Sequence, residues 1–216
     1  KKVVLNTPVA FQHEGFSLID NEEKSGEYRI KDDYSSIKGN FDSEPLYRYI
    51  VNTLDKGHIV ELGAWFGKST AFLAQLIKDS GKDIQLDVVD TWEGSGEDEQ
   101  ERVLQKCGGS TYPIFEKHMK RLGLFDYIDQ KIMTSMEACE FYSDNSLDLV
   151  FIDADHDYES VLEDIEGWFH KVKKGGIIAG HDFLDYFPGV EKAVREFFGD
   201  NYAVKHTTWY HIKGED

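Results

Sequence analysis

The sequence is short of cysteine, of positive charge and of long apolar runs, and each shortage removes a class of protein. Cys107 and Cys139 are its two thiols. They are too few and too far apart for a disulfide framework or a four-ligand zinc site, so both are expected to be core thiols in a reducing cytosol. Lysine and arginine number 24 against 41 aspartates and glutamates, a net charge of −17. A field of that sign repels phosphate backbones and anionic lipid surfaces, which argues against nucleic-acid and membrane partners. The longest apolar runs, such as Leu149-Val150-Phe151-Ile152, fall far below the ~20 residues a membrane helix requires. A soluble, cytoplasmic protein is expected. The chain opens on Lys1 rather than Met, which leaves room for a removed leader or tag.

Core material is plentiful. Of 216 residues, 40% are apolar, with 14 Phe, 11 Tyr and 4 Trp, which is too much for a disordered chain. At this length one domain with an appendage is expected, burying roughly 70% of the unfolded surface without staples.

From residue 44 onward, short apolar runs alternate with helical spacing, the pattern of β-α units around a parallel sheet. Ser43 is placed to cap a helix whose inward face is Leu46, Tyr47, Ile50, Val51 and Leu54, ended by Gly57. A strand at His58 to Leu62 follows, then a helix from Lys68 closed by Gly81, then a strand at Ile84 to Val89. Further on come a helix at Pro113 to Leu122, a strand at Tyr127 to Met133, a short helix at Met136 to Phe141 and a buried strand at Leu147 to Ile152. Val161, Leu162, Ile165, Trp168, Phe169 and Val172 mark a helix from Glu159 to Val172. Gly175-Gly176 is expected to turn into the strand Ile177 to Gly180, and Val190 to Phe198 forms another helix. The tail, Tyr202 to His206 and Thr208 to Ile212, reads as a hairpin at an antiparallel edge. The whole is an α/β fold: a Rossmann-like doubly wound sheet, mostly parallel, with an antiparallel C-terminal edge strand.

Two segments stand outside this rhythm. Residues 1–42 contain a possible hairpin, Phe16 to Ile19 against Glu27 to Ile30, and are expected to form an arm, a lid or a homodimer contact ahead of a domain spanning 43–216. Residues 93–110, rich in Gly, Ser and acid, read as a solvated loop or as a lid over a site.

Glu61-Leu62-Gly63-Ala64-Trp65-Phe66-Gly67-Lys68-Ser69-Thr70 falls where a strand gives way to a helix. Ligands of a parallel sheet bind beyond the carboxyl ends of its strands, and glycines there admit a ligand to the backbone. Gly63 and Gly67 serve equally well for close strand-helix packing. Asp90 ends the neighbouring strand, where an acid accepts ribose hydroxyls, and Glu61 offers an acceptor suited to an ammonium group. A ribose with a cationic amino-acid end fits S-adenosylmethionine better than a dinucleotide, whose pyrophosphate Glu61 would repel. The rival reading is a P-loop ATPase, but only Ala64, Trp65 and Phe66 lie between the glycines, one residue short of a phosphate cradle.

The order Glu61-x-Gly63-x-x-x-Gly67, Asp90, Asp153, then Gly175-Gly176 before a strand ending in His181-Asp182 resembles the class I S-adenosylmethionine-dependent methyltransferases. Within them it is most similar to the metal-dependent O-methyltransferases of the catechol and macrolide-sugar kind. The resemblance covers roughly residues 43–213. It implies a methyltransferase domain in which Glu61, Gly63 and Ser69 line the methionine end, Asp90 the ribose, Trp92 the adenosine, and Ser135-Met136-Glu137 the adenine. For Trp92 and Met136 ordinary core packing is the other reading.

Asp153-Ala154-Asp155-His156-Asp157-Tyr158 follows the central strand, and His181-Asp182 closes the adjacent one. Titratable groups thus converge at neighbouring strand tips, with Asp157 read as a turn or cap acid. The resemblance implies that Asp153 and the following strand's pair hold a divalent metal and that His156, three residues after Asp153, is the general base. Where the resembled enzymes carry an acid, this chain has His181. It either ligates a metal softer than magnesium, such as manganese, or works through hydrogen bonding. Two histidines with carboxylates also suit a non-haem iron oxygenase, which leaves Glu61 and Asp90 unexplained. A catalytically silent cofactor-binding protein on the same fold is the remaining alternative. Phe183, Tyr186 and Phe187 form an aromatic loop suited to a sugar or phenolic acceptor, or to packing, and the acidic loop argues against an anionic one.

Overall fold

The strand that leads into the Gly63–Gly67 turn runs from Lys56 to Leu62 (β1) and lies inside the sheet, paired on both sides. The computed structural model describes residues 34–96 and 98–214. The other strands are β2 (Asp83–Asp90), β3 (Asp129–Ile132), β4 (Leu147–Ile152), β5 (Val172–Gly180), β6 (Ala203–Lys205) and β7 (Thr208–Ile212). Among the described residues they form one sheet in the order β3-β2-β1-β4-β5-β7-β6. The first five are parallel, and β7 pairs antiparallel with both β5 and β6. The doubly wound sheet with its antiparallel edge is therefore as the alternation predicts. The chain moves outward from β1 to β3 and then returns to β4, so the order reverses between β1 and β4, where such sheets open a crevice.

Side-chain alternation explains the two layers. In β1, Ile59 and Glu61 face one side while Val60 and Leu62 face the other. The first side is covered by α1 (Glu44–Thr53), α2 (Lys68–Ser80) and, beyond α3 (Asp98–Cys107), α4 (Tyr112–Leu122). The second is covered by α5 (Ser135–Cys139), α6 (Tyr158–Phe169) and α7 (Pro188–Phe198). Phe72, Phe115 and Phe151 fill the first core, and Trp168 and Trp209 fill the second. Among the described residues no helix is long and apolar enough to cross a membrane.

Three segments differ from expectation. The α6 helix stops at Phe169 and Val172 already belongs to β5. Gly175 at φ +76 keeps the chain in the sheet, its amide donating to the Lys213 carbonyl, so the glycine pair is an irregularity within the strand rather than a turn before it. The segment 93–110 contains α3, whose apolar signal is carried almost entirely by buried Leu104. Residues 34–42 are part of the domain rather than an arm: Ile37 is buried, and Phe41 packs at 5.6 Å from Tyr47 and 5.1 Å from Phe72. The expected hairpin of Phe16 to Ile30 lies outside the described residues.

Candidate functional site

The tips of β1 to β5 open onto a cavity of about 590 Å³. Its floor is a knot of backbone bonds: the Gly63 amide donates to the Val89 carbonyl, and the Asp153 amide to that of Leu62, both at 2.8 Å. Gly63 has φ +83, and a Cβ on it would stand 2.0 Å from the Asp153 carbonyl oxygen. Asp90 braces the loop that follows. Its Oδ2 accepts from the amides of Ala64 and Trp65 at 2.7 and 2.8 Å, and its Oδ1 from the Trp92 amide at 2.6 Å. These bonds help hold Trp65 at φ +49, a conformation costly for a bulky residue. A carboxylate has about four lone-pair sites, so the half-buried Asp90 keeps acceptor capacity toward the cavity it lines.

Gly63, Ser69, Asp90, Ser135, Met136, Asp153, His156, His181 and Asp182 all line this cavity. Four expected residues do not. Glu137 is exposed, its carboxylate accepting the Thr134 amide at 3.0 Å in the cap of α5. Glu61 is wholly buried behind the cavity, accepting from the hydroxyls of Tyr47 and Thr70, with Ser69 also bonding it. Burial outweighs those bonds and pushes its carboxyl up to about 7. It is a strut of the first core, not an open acceptor for an ammonium group. Trp92 is wholly buried with its ring 4.9 Å from those of Tyr112 and Phe115, so core packing accounts for it. Gly67, at φ +87, is glycine because a Cβ would stand 2.7 Å from Met119 and 2.8 Å from Phe115.

At the β3 end, Ser135 opens α5 and donates its hydroxyl to Asp164 Oδ1, while its oxygen accepts from Trp168 Nε1 at 2.8 Å. Asp164 is 6% exposed and lines the cavity; burial pushes it up to about 6 despite the Ser135 bond. Sequence reasoning missed it. A signal was present, because Asp164 falls on the inward stripe of Val161, Ile165 and Trp168, where an acid is out of place.

At the β4 and β5 end, Asp153 and the pair His181-Asp182 follow directly on the strands. Each of the three offers one ligand atom, and these lie within 4.8 Å of one another. His156 Nε2 stands 2.9 Å from Asp182 Oδ2, and its ring stacks on Phe187 with centroids 4.0 Å apart. Asp182 adopts φ +58, which Asp tolerates better than most residues. Burial would raise its carboxyl, but the bonds from His156 and His181 hold it far below the usual range. Burial pushes Asp153 up to about 6 against the pull of His181. For His181, burial favours the neutral ring, yet Asp182, Asp153 and Asp42 together raise it to about 9. Asp155 turns the chain, its Oδ1 accepting the amides of His156 and Asp157.

Asp42 was also missed. Its Oδ1 is 3.0 Å from His181 Nε2, and it accepts the Thr207 amide at 3.2 Å. It stands in a stretch with no motif, and only the fold brings it to β5.

A family model described as "Methyltransferase domain" matches residues 60–183, the span from β1 to the end of this cluster. The chain belongs to that methyltransferase family. The methyltransferase is 29% identical over 138 residues to the uncharacterised protein y4gI of Sinorhizobium fredii, covering 64% of this chain but only 14% of that relative. It is 27% identical over 164 residues to the uncharacterised protein R132 of Acanthamoeba polyphaga mimivirus, covering 74% of this chain and 68% of the relative. Among solved structures, the O-methyltransferase NovP superposes with a TM-score of 0.63 at 18% identity, over 80% of this chain and 79% of NovP. CalS11, a TDP-rhamnose 3'-O-methyltransferase of calicheamicin biosynthesis, gives 0.55 at 18%, over 79% and 76%. At such identities the two structures establish a shared fold. The P-loop reading falls with this assignment, and Lys68 donates to the Gly39 carbonyl at 2.8 Å.

Proposed function

We propose that this methyltransferase transfers the methyl group of S-adenosylmethionine to a hydroxyl of a small molecule, a sugar or a phenol. His156 is the general base, and Asp153, His181 and Asp182 hold a divalent cation. One observation carries the reading: the His156 imidazole is paired to Asp182 at 2.9 Å on the wall of the same cavity that Gly63 and Asp90 line.

Methyl transfer from a sulfonium is an in-line displacement. The acceptor oxygen bonds to the methyl carbon, the carbon-sulfur bond breaks to leave a thioether, and the hydroxyl proton must go elsewhere. Alignment of the two partners is worth ~7–11 kcal/mol, and a positioned base adds about 10²–10⁴-fold. With its Nε2 proton directed to Asp182, a neutral His156 ring carries its basic lone pair on Nδ1. The pairing also stabilises the imidazolium that forms, as an acid behind a catalytic imidazole does. In this arrangement Gly63 and Ser69 flank the methionine part, Asp90 the ribose and Met136 the base.

The donor set suits a cation. Two carboxylates and an imidazole converge, and Asp42 backs the outer nitrogen of His181 as carboxylates commonly back ligating histidines. A bound divalent ion would orient the acceptor oxygen and lower its pKa. The nitrogen donor favours manganese over magnesium. That NovP and CalS11 are both O-methyltransferases is in keeping with an oxygen acceptor.

The test is transfer of label from S-[methyl-³H]adenosylmethionine to a panel of sugars and phenols, with manganese, with magnesium and with chelator. Labelled methyl ethers that vanish on chelation are expected. Tight binding of the cofactor with no transfer to any hydroxyl would favour the silent alternative, and label on nitrogen or carbon would overturn the acceptor class.

A further inference from the structure

The loop that follows β5 holds the His156 imidazole on two sides. Asp182 stands 2.9 Å from its Nε2, and Phe187 lays its ring on the imidazole face, with centroids 4.0 Å apart and planes 27° from parallel. The histidine χ2 torsion is soft, and its axis passes close to Nε2. A bond at Nε2 therefore does little to fix the plane of the ring, whereas a stacked face fixes it. The loop itself has little freedom. The Phe183 amide donates to the Thr207 carbonyl, the Leu184 amide to that of Asp182 and the Phe187 amide to that of Leu184, each at 2.9 Å. The first turn of α7 then lies against the backbone of His156, since a Cβ on Gly189 would stand 2.5 Å from the His156 carbonyl oxygen and 2.6 Å from the Tyr158 nitrogen. The three aromatics of this loop thus separate. Phe183 packs 5.6 Å from Tyr202, Tyr186 meets Phe187 edge-on at 4.8 Å and is 79% exposed, and of the three only Phe187 lines the cavity.

We propose that Phe187 is the positioning residue of the base: its ring sets the plane of the His156 imidazole, and with it the direction from which the proton of the acceptor hydroxyl is taken. This role rests on the reading of His156 as general base and gives that base its orienting partner. Proton transfer depends on direction as well as reach, because a hydrogen bond weakens steeply below ~120°. A misplacement of about 1 Å can cost 10²-fold in rate. Asp182 sets which nitrogen carries the proton, and Phe187 sets where the ring points. Such a contact needs a flat partner. Leucine or methionine would fill similar space and leave the imidazole plane undefined, whereas tyrosine would keep the face.

Nuclear relaxation of ¹³C-labelled histidine rings reads the plane directly, the His156 signal being the one missing from His156→Ala. That ring should be rigid in wild type and in Phe187→Tyr, and its order parameter should fall below about 0.6 in Phe187→Leu and Phe187→Met. In label transfer to a hydroxyl acceptor, kcat should fall about 10–100-fold in both aliphatic variants and recover in Phe187→Tyr, with KM for S-adenosylmethionine held within about twofold. In a His156→Ala background, Phe187→Leu should cost nothing further in kcat, because the group it positions is gone. A His156 ring as ordered in both aliphatic variants as in wild type overturns the proposal, and so does an equal loss of kcat with and without His156. Turnover unchanged by His156→Ala would instead overturn the base reading beneath it. Absence of transfer to every hydroxyl would overturn the acceptor class, while the ring order still decides whether Phe187 sets the plane.

Discussion

Asp42 and His181 meet at 3.0 Å, Oδ1 to Nε2, although 139 positions separate them. The contact joins the strand-tip cluster to the chain just before α1. Asp42 is itself held by the Thr207 amide and by the hydroxyls of Thr207 and Thr208. The outer nitrogen of His181 is thus committed, and Nδ1 faces Asp182 at 3.3 Å and Asp153 at 3.9 Å. A carboxylate so placed fixes the tautomer in which the inner nitrogen can ligate.

Asp42→Asn keeps the size and the Thr207 bonds while removing the charge behind His181. Affinity for Mn²⁺ alone, read from free-ion paramagnetic resonance, should fall about 10–100-fold. Affinity for S-adenosylhomocysteine should hold within about twofold, because Asp42 does not line the cavity. Unchanged Mn²⁺ affinity would reduce Asp42 to a tether for β7.

Gly63→Ala should be far more damaging than its single methyl suggests. The new Cβ would meet the Asp153 backbone at 2.0 Å, in a chain already at φ +83, and neither strand tip can yield without breaking the bonds that join them. The left-handed backbone alone costs about 1–2 kcal/mol. Thermal melting should show that cost and more, with loss of cofactor binding in whatever folds. Gly81→Ala, at φ +64 with nothing within 4 Å, is the control and should show the backbone cost only.

His156→Ala should lower kcat about 10²–10⁴-fold and leave S-adenosylhomocysteine affinity intact, since the ring serves the acceptor's proton. Its stacking on Phe187 makes some loss of stability expected too, so kcat at saturating cofactor is the informative quantity. Turnover within threefold of wild type would remove His156 as base.

The architecture was legible because burial on both faces of a parallel sheet writes itself as continuous apolar runs, as at Leu147–Ile152. The strand-tip groups were legible for a related reason: position after such a run aims them at the crevice, and Asp90, Asp153, His156, His181 and Asp182 all reach it. Glu61 was misjudged because it lies one residue before the strand's end, and the pleat turns it into the core toward Tyr47 and Thr70. Trp92 follows a strand tip but continues into the packing of α4. Asp42 carried no local signal, since its partner is set by the sheet's far edge.

The buried Glu61 makes stability depend on pH with a definite sign. Its carboxyl rises from the usual 4.5 to about 7 on folding, so between those values the folded protein holds a proton that the unfolded chain has released. Stability must fall as pH rises through that window. The change is on the order of 3 kcal/mol for a shift of this size. His181, raised from 6.5 to about 9, continues the decline at higher pH, where the stabilising proton is lost. Asp87 and Asp182 act oppositely, but their lowered values confine them to acid solution. Wild type should therefore lose Tm steadily from pH 5 to pH 9. Glu61→Gln cannot ionise, and its decline between pH 5 and pH 8 should be shallower by roughly 6–12 °C. Parallel Tm curves for the two proteins would mean that Glu61 keeps its ordinary affinity for the proton despite its burial.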